Sequence, residues 1–182
     1  MQLGRLLLRA TVGEVFLVHG TQKLFGWFGG YGPEATGQFF ESLGLRPGRR
    51  NAVAAGVTEA AGGSLLMLGL ATPAAAAGLT AVMITALRTA IWKDGFKPAT
   101  GELEVLLAAG ALALAEIGPG PWSLDAALGR ERRGAGWALA ALGAGAAGSA
   151  MAIQAARRQP QPPVQPPEAT PAQVATAGAQ DR

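Results

Sequence analysis

The chain has 182 residues, enough for one compact unit, and only 15% of them are charged, against about 25% in ordinary soluble domains. It contains no cysteine, which excludes disulfides, thiol redox chemistry and iron–sulfur or zinc sites held by cysteine. The net charge of +3 comes from basic residues spread between apolar runs. This pattern is typical of the loops of a membrane protein and not of a nucleic-acid-binding surface.

The first apolar segment, residues 5–25, is long enough to cross a bilayer but carries ionisable groups. Glu14 lies near its middle, and His19, Gln22 and Lys23 lie near its end. Charged groups at that depth cost about 2.5–3.5 kcal/mol each on insertion scales, so other helices or water must cover them. The segment therefore predicts a bundle of helices around it. We interpret it as a retained span and not as a cleaved signal peptide.

A short amphipathic segment and three more apolar segments follow. Residues 33–43 are too few to span a bilayer, and their apolar side predicts a helix lying in the membrane interface; an ordered loop is the alternative. Three aromatic residues nearby would anchor it there: Trp27, Phe28 and Tyr31. The further predicted spans are residues 50–70, 74–92 and 102–117. The short turn at 71–73 predicts that the second and third spans are antiparallel neighbours.

In the second span, small residues at Gly56, Ala60 and Gly63 predict a close contact with another helix. A fifth apolar segment, 134–153, follows a basic loop and is almost entirely small. Two neighbouring rows at four-residue spacing favour packing against another helix. The first row is Gly136, Ala140, Ala144, Gly148 and Ala152, and the second is Ala141, Gly145 and Ser149. Such faces are also candidate surfaces for homo-oligomer formation.

The C-terminal segment, 154–182, differs in composition from the rest of the chain. Six of the 12 prolines lie between residues 160 and 171, and no apolar period continues there. This predicts a disordered tail with polyproline-like character.

Polar residues of the predicted spans converge on one half of the bundle. The up-and-down order places the ends of the first and third spans and the start of the fourth on the same side. The predicted intramembrane cluster consists of His19, Gln22, Lys23, Glu59, Arg88 and Glu102. Two further carboxylates, Glu104 and Glu116, are expected to face an interface or a loop.

Glu59 and Arg88 are expected to form an ion pair inside the bundle. They lie in neighbouring spans, and at about 1.5 Å per residue their heights differ by roughly 5 Å, which an arginine side chain can cross. Glu102, at the start of the next span, is the rival partner for Arg88.

Three blocks of sequence resemble the DoxX family of small membrane proteins. They are H-G-x-Q-K-L-F-G from His19, E-A-A-G-G-x-L-L-x-L-G-L-x-T-P from Glu59, and G-E at 101–102 leading to G-P-G-P-W-S-L-D at 118–125. By this match the positions that carry the family pattern are His19, Gln22, Lys23, Glu59 and Glu102.

The resemblance covers about residues 5–128 and implies a four-helix bundle over residues 1–128, in the cell membrane. The basic loop and fifth span, 129–153, and the tail lie outside it. The expected fold is therefore an all-α, multi-pass membrane bundle of four family-type spans plus a C-terminal fifth. The family name comes from a relative of a thiosulfate:quinone oxidoreductase subunit, and some members are associated with membrane oxidoreductase complexes.

The first functional hypothesis is a membrane subunit or anchor that binds a quinone or docks an oxidoreductase. His19, Lys23, Glu59 and Glu102 could supply donors for the quinone carbonyls and a proton path. The chain has one histidine, no cysteine and no dinucleotide-binding loop, so it would be an accessory subunit and not a self-sufficient enzyme. Neither catalytic residues nor a metal site nor a tightly bound cofactor is predicted.

Two alternatives stay open. The chain could be a scaffold that recruits soluble partners through its basic loops and tail, with a structural polar cluster. It could also transport a proton or small solute past Glu14, Glu59 and Arg88. The expected partners are the lipid bilayer and soluble or membrane oxidoreductase subunits, and not nucleic acid.

Overall fold

The computed structural model describes residues 2–93, 95, 97 and 100–159. Within these residues the chain is all-helical, with no strand. The helices are α1 (Gln2–Phe25), α2 (Gly32–Ser42), α3 (Gly48–Leu68), α4 (Thr72–Ala86), α5 (Glu102–Ile117), α6 (Leu124–Ala127) and α7 (Ala135–Arg157). One turn of π-helix, Leu87–Ile91, continues α4. Residues 154–157 of the predicted disordered tail belong to α7, so the helix runs four residues beyond the predicted fifth span; residues 160–182 lie outside the described residues.

Helices α1, α3, α4 and α5 form an up-and-down bundle. Helix α1 packs mainly on α3, α4 lies between α3 and α5, and α5 also contacts α1. The bundle core is apolar, with Phe16, Leu66, Leu79 and Leu114 almost completely buried. Helix α7 packs along α4 and α5, outside this bundle. The short turn between α3 and α4 confirms the predicted antiparallel pair.

Helices α1 and α3 approach closely because glycines line both sides of their contact. A Cβ atom on Gly20 would lie 2.4 Å from the backbone nitrogen of Ala60, and one on Gly63 would lie 2.5 Å from the carbonyl oxygen of Gly13. Cβ atoms cannot come that near to backbone, so side chains here would force the helices apart. The close contact predicted for Gly56, Ala60 and Gly63 is confirmed.

A buried arginine ties α1 to the far ends of two other helices. Arg9 is 3% exposed. Its guanidinium donates hydrogen bonds to the carbonyl oxygens of Met67 (3.2 Å), Pro119 (2.6 Å) and Trp122 (2.8 Å). These carbonyls end α3 and form the loop after α5, where helix carbonyls lack intrahelical donors. Arg9 therefore satisfies the backbone at this end of the bundle.

Asp125 holds the turn that leads into α4. Its carboxylate accepts hydrogen bonds from the backbone N–H groups of Ala71 (3.0 Å) and Thr72 (3.3 Å). These groups open α4 and have no partner inside the helix, so the carboxylate acts as a cap supplied from α6.

One of the two predicted rows of small residues on α7 packs against the bundle along its length, and the other reaches the bundle only at Gly148 and Ala152. The buried row contains Ala141, Gly145 and Ser149. A Cβ atom on Gly145 would lie 2.9 Å from a Thr80 methyl group, and the hydroxyls of Ser149 and Thr85 lie 3.0 Å apart. The first three positions of the other row are exposed: Gly136, Ala140 and Ala144.

Among the described residues, two helices are long and apolar enough to cross a membrane. They are α4 with its π-helical turn, Thr72–Ile91, and α7, Ala135–Arg157. Helices α1 and α3 have 24 and 21 residues but contain charged side chains, and α5 has only 16 residues. The number of spans therefore stays a prediction, as does the interfacial position of α2. The aromatic residues beside α2, Trp27, Phe28 and Tyr31, are all exposed.

Candidate functional site

A buried ion pair joins α1 to α3. The Nζ atom of Lys23 lies 2.6 Å from Oε2 of Glu59, whose side chain is 2% exposed, whereas the Lys23 side chain is 21% exposed. Gly20 and Gly56 lie in contact one turn earlier on the two helices. Because the backbones are so close there, the two charged side chains meet directly in the interior of the bundle.

This ion pair corrects the expected pairing of Glu59 with Arg88. The side chain of Arg88 is exposed and forms no hydrogen bond or ion pair with the described residues. The same holds for Glu102, the rival partner of Arg88. The height estimate placed Arg88 near the level of Glu59, but it could not fix the direction of the side chain around the helix axis. In the π-helical turn, Leu87 faces inward and Arg88 faces outward.

The ion pair lies on the wall of a cavity of about 540 Å³. Side chains from α1 to α5 and α7 line it, and most of its surface is apolar. The polar lining residues are His19, Lys23, Asn51, Thr58, Glu59, Thr85, Thr89 and Glu104. A mostly apolar cavity with a few convergent polar groups is the usual form of a small-molecule site.

The cavity wall retains unused hydrogen-bonding capacity. The Lys23 ammonium has three N–H donors; it donates to Glu59 and, at 3.4 Å, to the carbonyl oxygen of His19, which leaves one donor. The His19 imidazole forms no hydrogen bond with a described residue. The carboxylate of Glu104 is half-buried on the opposite helix, α5. A ligand that carries a carbonyl acceptor on a flat apolar ring would match the Lys23 and His19 donors and the apolar lining.

The structure brings together three of the six predicted cluster residues. His19, Lys23 and Glu59 line this cavity, and Gln22 lines a neighbouring one of about 580 Å³. Arg88 and Glu102 are exposed and line neither. Among the described His, Asp and Glu residues, no group of three is placed so that it could hold a metal ion.

Glu104 is the cavity residue that the sequence interpretation missed. It was expected at an interface or in a loop, together with Glu116, which is indeed exposed. Leu107, Ala111 and Leu114 are the buried residues of α5, and Glu104 lies on the same face at helical spacing from them. The spacing of Glu104 from these apolar residues was the sequence signal that it faces the interior. Glu102 lies two residues earlier, on the outer face.

Glu14 is also exposed, and it forms no hydrogen bond or ion pair with another described residue. It lies near the middle of α1 but does not line either cavity. Glu14 and Glu59 therefore do not share either of these two cavities.

Two comparisons with known proteins give matches. The family model described as DoxX matches residues 4–92; this range includes the ion pair but neither Glu104 nor α7. The Bacillus subtilis (strain 168) protein named "Putative oxidoreductase CatD" is 35% identical over 124 residues, which are 68% of this chain and 86% of that protein. No solved structure matches the chain. The sequence blocks, the helical bundle and this relative together show that the chain belongs to the DoxX family.

Proposed function

We propose that this DoxX-family protein is a multi-pass plasma-membrane subunit or anchor of an oxidoreductase, and that its cavity binds a quinone. The observation that carries the proposal is the Lys23–Glu59 ion pair on a mostly apolar cavity wall. An ion pair in the interior costs desolvation that apolar residues would avoid. An ionisable group retained inside a membrane bundle is a candidate functional group.

The polar groups fit one end of a quinone ring. The free N–H of Lys23 and the imidazole of His19 could donate to one carbonyl, while the apolar lining covers the ring faces. Quinone reduction also consumes two protons, and His19, Glu59 and Glu104 line the cavity as groups that exchange protons. We assign the electrons to a partner oxidoreductase, because a chain with one histidine and no cysteine cannot form a bis-histidine haem site or a cysteine-ligated iron–sulfur centre.

The proposed membrane topology has five spans, namely α1, α3, α4, α5 and α7. Helices α4 and α7 support it by length and composition. Three charged residues of α1 and α3 support it indirectly, since the Lys23–Glu59 pair and the buried Arg9 are satisfied inside the protein, as a lipid environment requires; Glu14 of α1 is exposed and gives no such support. The name of the Bacillus subtilis relative supports the link to an oxidoreductase.

The test is whether quinone copurifies with the protein and binds through the cavity residues. The wild-type chain is extracted with its native lipids into polymer nanodiscs, and bound quinone is quantified by mass spectrometry. Affinity for a short-chain benzoquinone is then measured by titration. We expect the wild type to retain quinone, and both His19→Leu and the double variant Lys23→Met/Glu59→Met to bind at least tenfold more weakly. The double variant removes both charges together, so neither is left unpaired.

The matched control is Glu102→Gln. Glu102 is an exposed glutamate at the start of α5 that does not line the cavity. The affinity of this variant should remain within twofold of the wild type. Absence of quinone from the wild type, or equal binding by all four proteins, would refute the proposal.

The scaffold function is the alternative that such a result would favour. Residues 130–133 form an exposed basic segment, and Arg132 lies over the Trp137 ring at 4.8 Å. An exposed basic surface of this kind could recruit an acidic partner or contact anionic headgroups. A transporter is less well supported, because Glu14 and Arg88 lie outside the cavity.

A further inference from the structure

A second cavity of about 580 Å³ lies between the end of α1 and α2. Its lining is partly polar, with Gln22, Lys23, Tyr31 and Thr36 among its residues. Lys23 also lines the first cavity, and so do Phe39 and Phe40 of α2. These three side chains therefore form the partition between the two cavities.

Helix α2 is fastened to α3 along one edge. A Cβ atom on Gly48 would lie 2.0 Å from the carbonyl oxygen of Gly37, so the two backbones touch. The Glu41 carboxylate accepts a hydrogen bond from the Gly48 N–H at 3.0 Å. An exposed ion pair, Arg49 with Glu34 at 2.6 Å, continues this edge, and the hydrogen bond from Arg49 lowers the pKa of Glu34.

The opposite edge of α2, towards α1, is much less closely packed. The second cavity occupies this gap, and the exposed aromatic side chains of Trp27, Phe28 and Tyr31 lie beside it. Aromatic residues concentrate where a membrane protein meets the headgroup layer. The gap between α1 and α2 is therefore placed where a lipid-soluble molecule could leave the bilayer.

We infer that the second cavity is the access route by which a lipid-soluble ring compound reaches the Lys23–Glu59 pair, with Phe39 as the movable part of the partition. This inference rests on the proposed quinone site. The route passes Lys23, which is partly exposed and belongs to both cavities. The ring of Phe39 is 55% exposed and can rotate outward, whereas Phe40 packs on the cluster of Leu45, Ile153 and Ala156.

The absence of cysteine from the chain makes a selective block feasible. Thr36→Cys places a thiol in the second cavity, and Gln38→Cys places one on an exposed part of α2 that lines neither cavity. Both variants are purified in folded form and then labelled with the same bulky maleimide. Association and dissociation of a short-chain benzoquinone are followed by stopped-flow tryptophan fluorescence, before and after labelling.

Labelling at position 36 is expected to slow both association and dissociation at least tenfold while the Kd stays within twofold. Labelling at position 38 should change neither rate by more than twofold. Unchanged rates after labelling at position 36 would overturn the inference. A weaker Kd with unchanged association would also overturn it, because the second cavity would then be part of the binding site. If unlabelled protein binds no quinone, the proposed function itself fails, which separates the two outcomes.

Discussion

The Lys23–Glu59 pair gives the sharpest energetic prediction. With a Nζ–Oε2 distance of 2.6 Å, the Coulomb attraction is about 6 kcal/mol at an effective dielectric constant of about 20, and desolvation of the two ions offsets most of it. Lys23→Met leaves the Glu59 carboxylate buried without a counter-ion and should destabilise the fold by about 4 kcal/mol. Glu59→Met should cost less, about 2 kcal/mol, because the Lys23 side chain can turn towards water.

The double variant should cost only about 3 kcal/mol, because it removes both charges together, so the coupling energy is about 3 kcal/mol. Unfolding of each variant by SDS in mixed micelles, followed by circular dichroism, measures these values. Arg88→Met provides the control cycle. Its coupling with Glu59 should lie within about 0.5 kcal/mol of zero, since Arg88 is exposed. Strict additivity for Lys23 and Glu59, together with coupling between Glu59 and Arg88, would refute the assigned pair.

Three further predictions concern packing, backbone satisfaction and topology. Gly20→Ala should destabilise the fold by about 3 kcal/mol in the same unfolding assay, because the added Cβ would overlap α3. Gly4 has no neighbour within 4 Å, so Gly4→Ala should leave the stability unchanged. Equal effects of the two substitutions would contradict the close α1–α3 contact. Arg9→Met should lower the free energy of unfolding by about 3 kcal/mol, because three carbonyl oxygens lose their donor. Arg130 is exposed, so Arg130→Met should lower it by less than about 0.5 kcal/mol. Similar losses for the two variants would argue against the assigned role of Arg9. Five spans place the 154–182 tail on the side of the membrane opposite the N-terminus. The test is protease treatment of sealed vesicles that carry the protein with a tag at each terminus. Cleavage of both tags from the same side would exclude five spans.

The sequence by itself determined the helices and one of their contacts. Apolar runs of sufficient length, broken at glycine and proline, indicated each long helix. Small residues at Gly56, Ala60 and Gly63 indicated the close contact on α3. The positions of His19 and Lys23, four residues apart on α1, indicated that one end of the bundle holds polar side chains. These features follow from local chemistry and helical spacing, so they can be recognised before the helices are assembled.

Only the tertiary structure decided which polar side chains meet. Residue number fixes the height of a side chain along its helix, but packing fixes the direction in which it points relative to other helices. This is why Glu59 pairs with Lys23 and not with Arg88, whose side chain is exposed. The rotation of α5 likewise turns Glu104, and not Glu102, towards the cavity. The cavity itself exists only where six helices leave space between them, and no single segment of the sequence encodes that space.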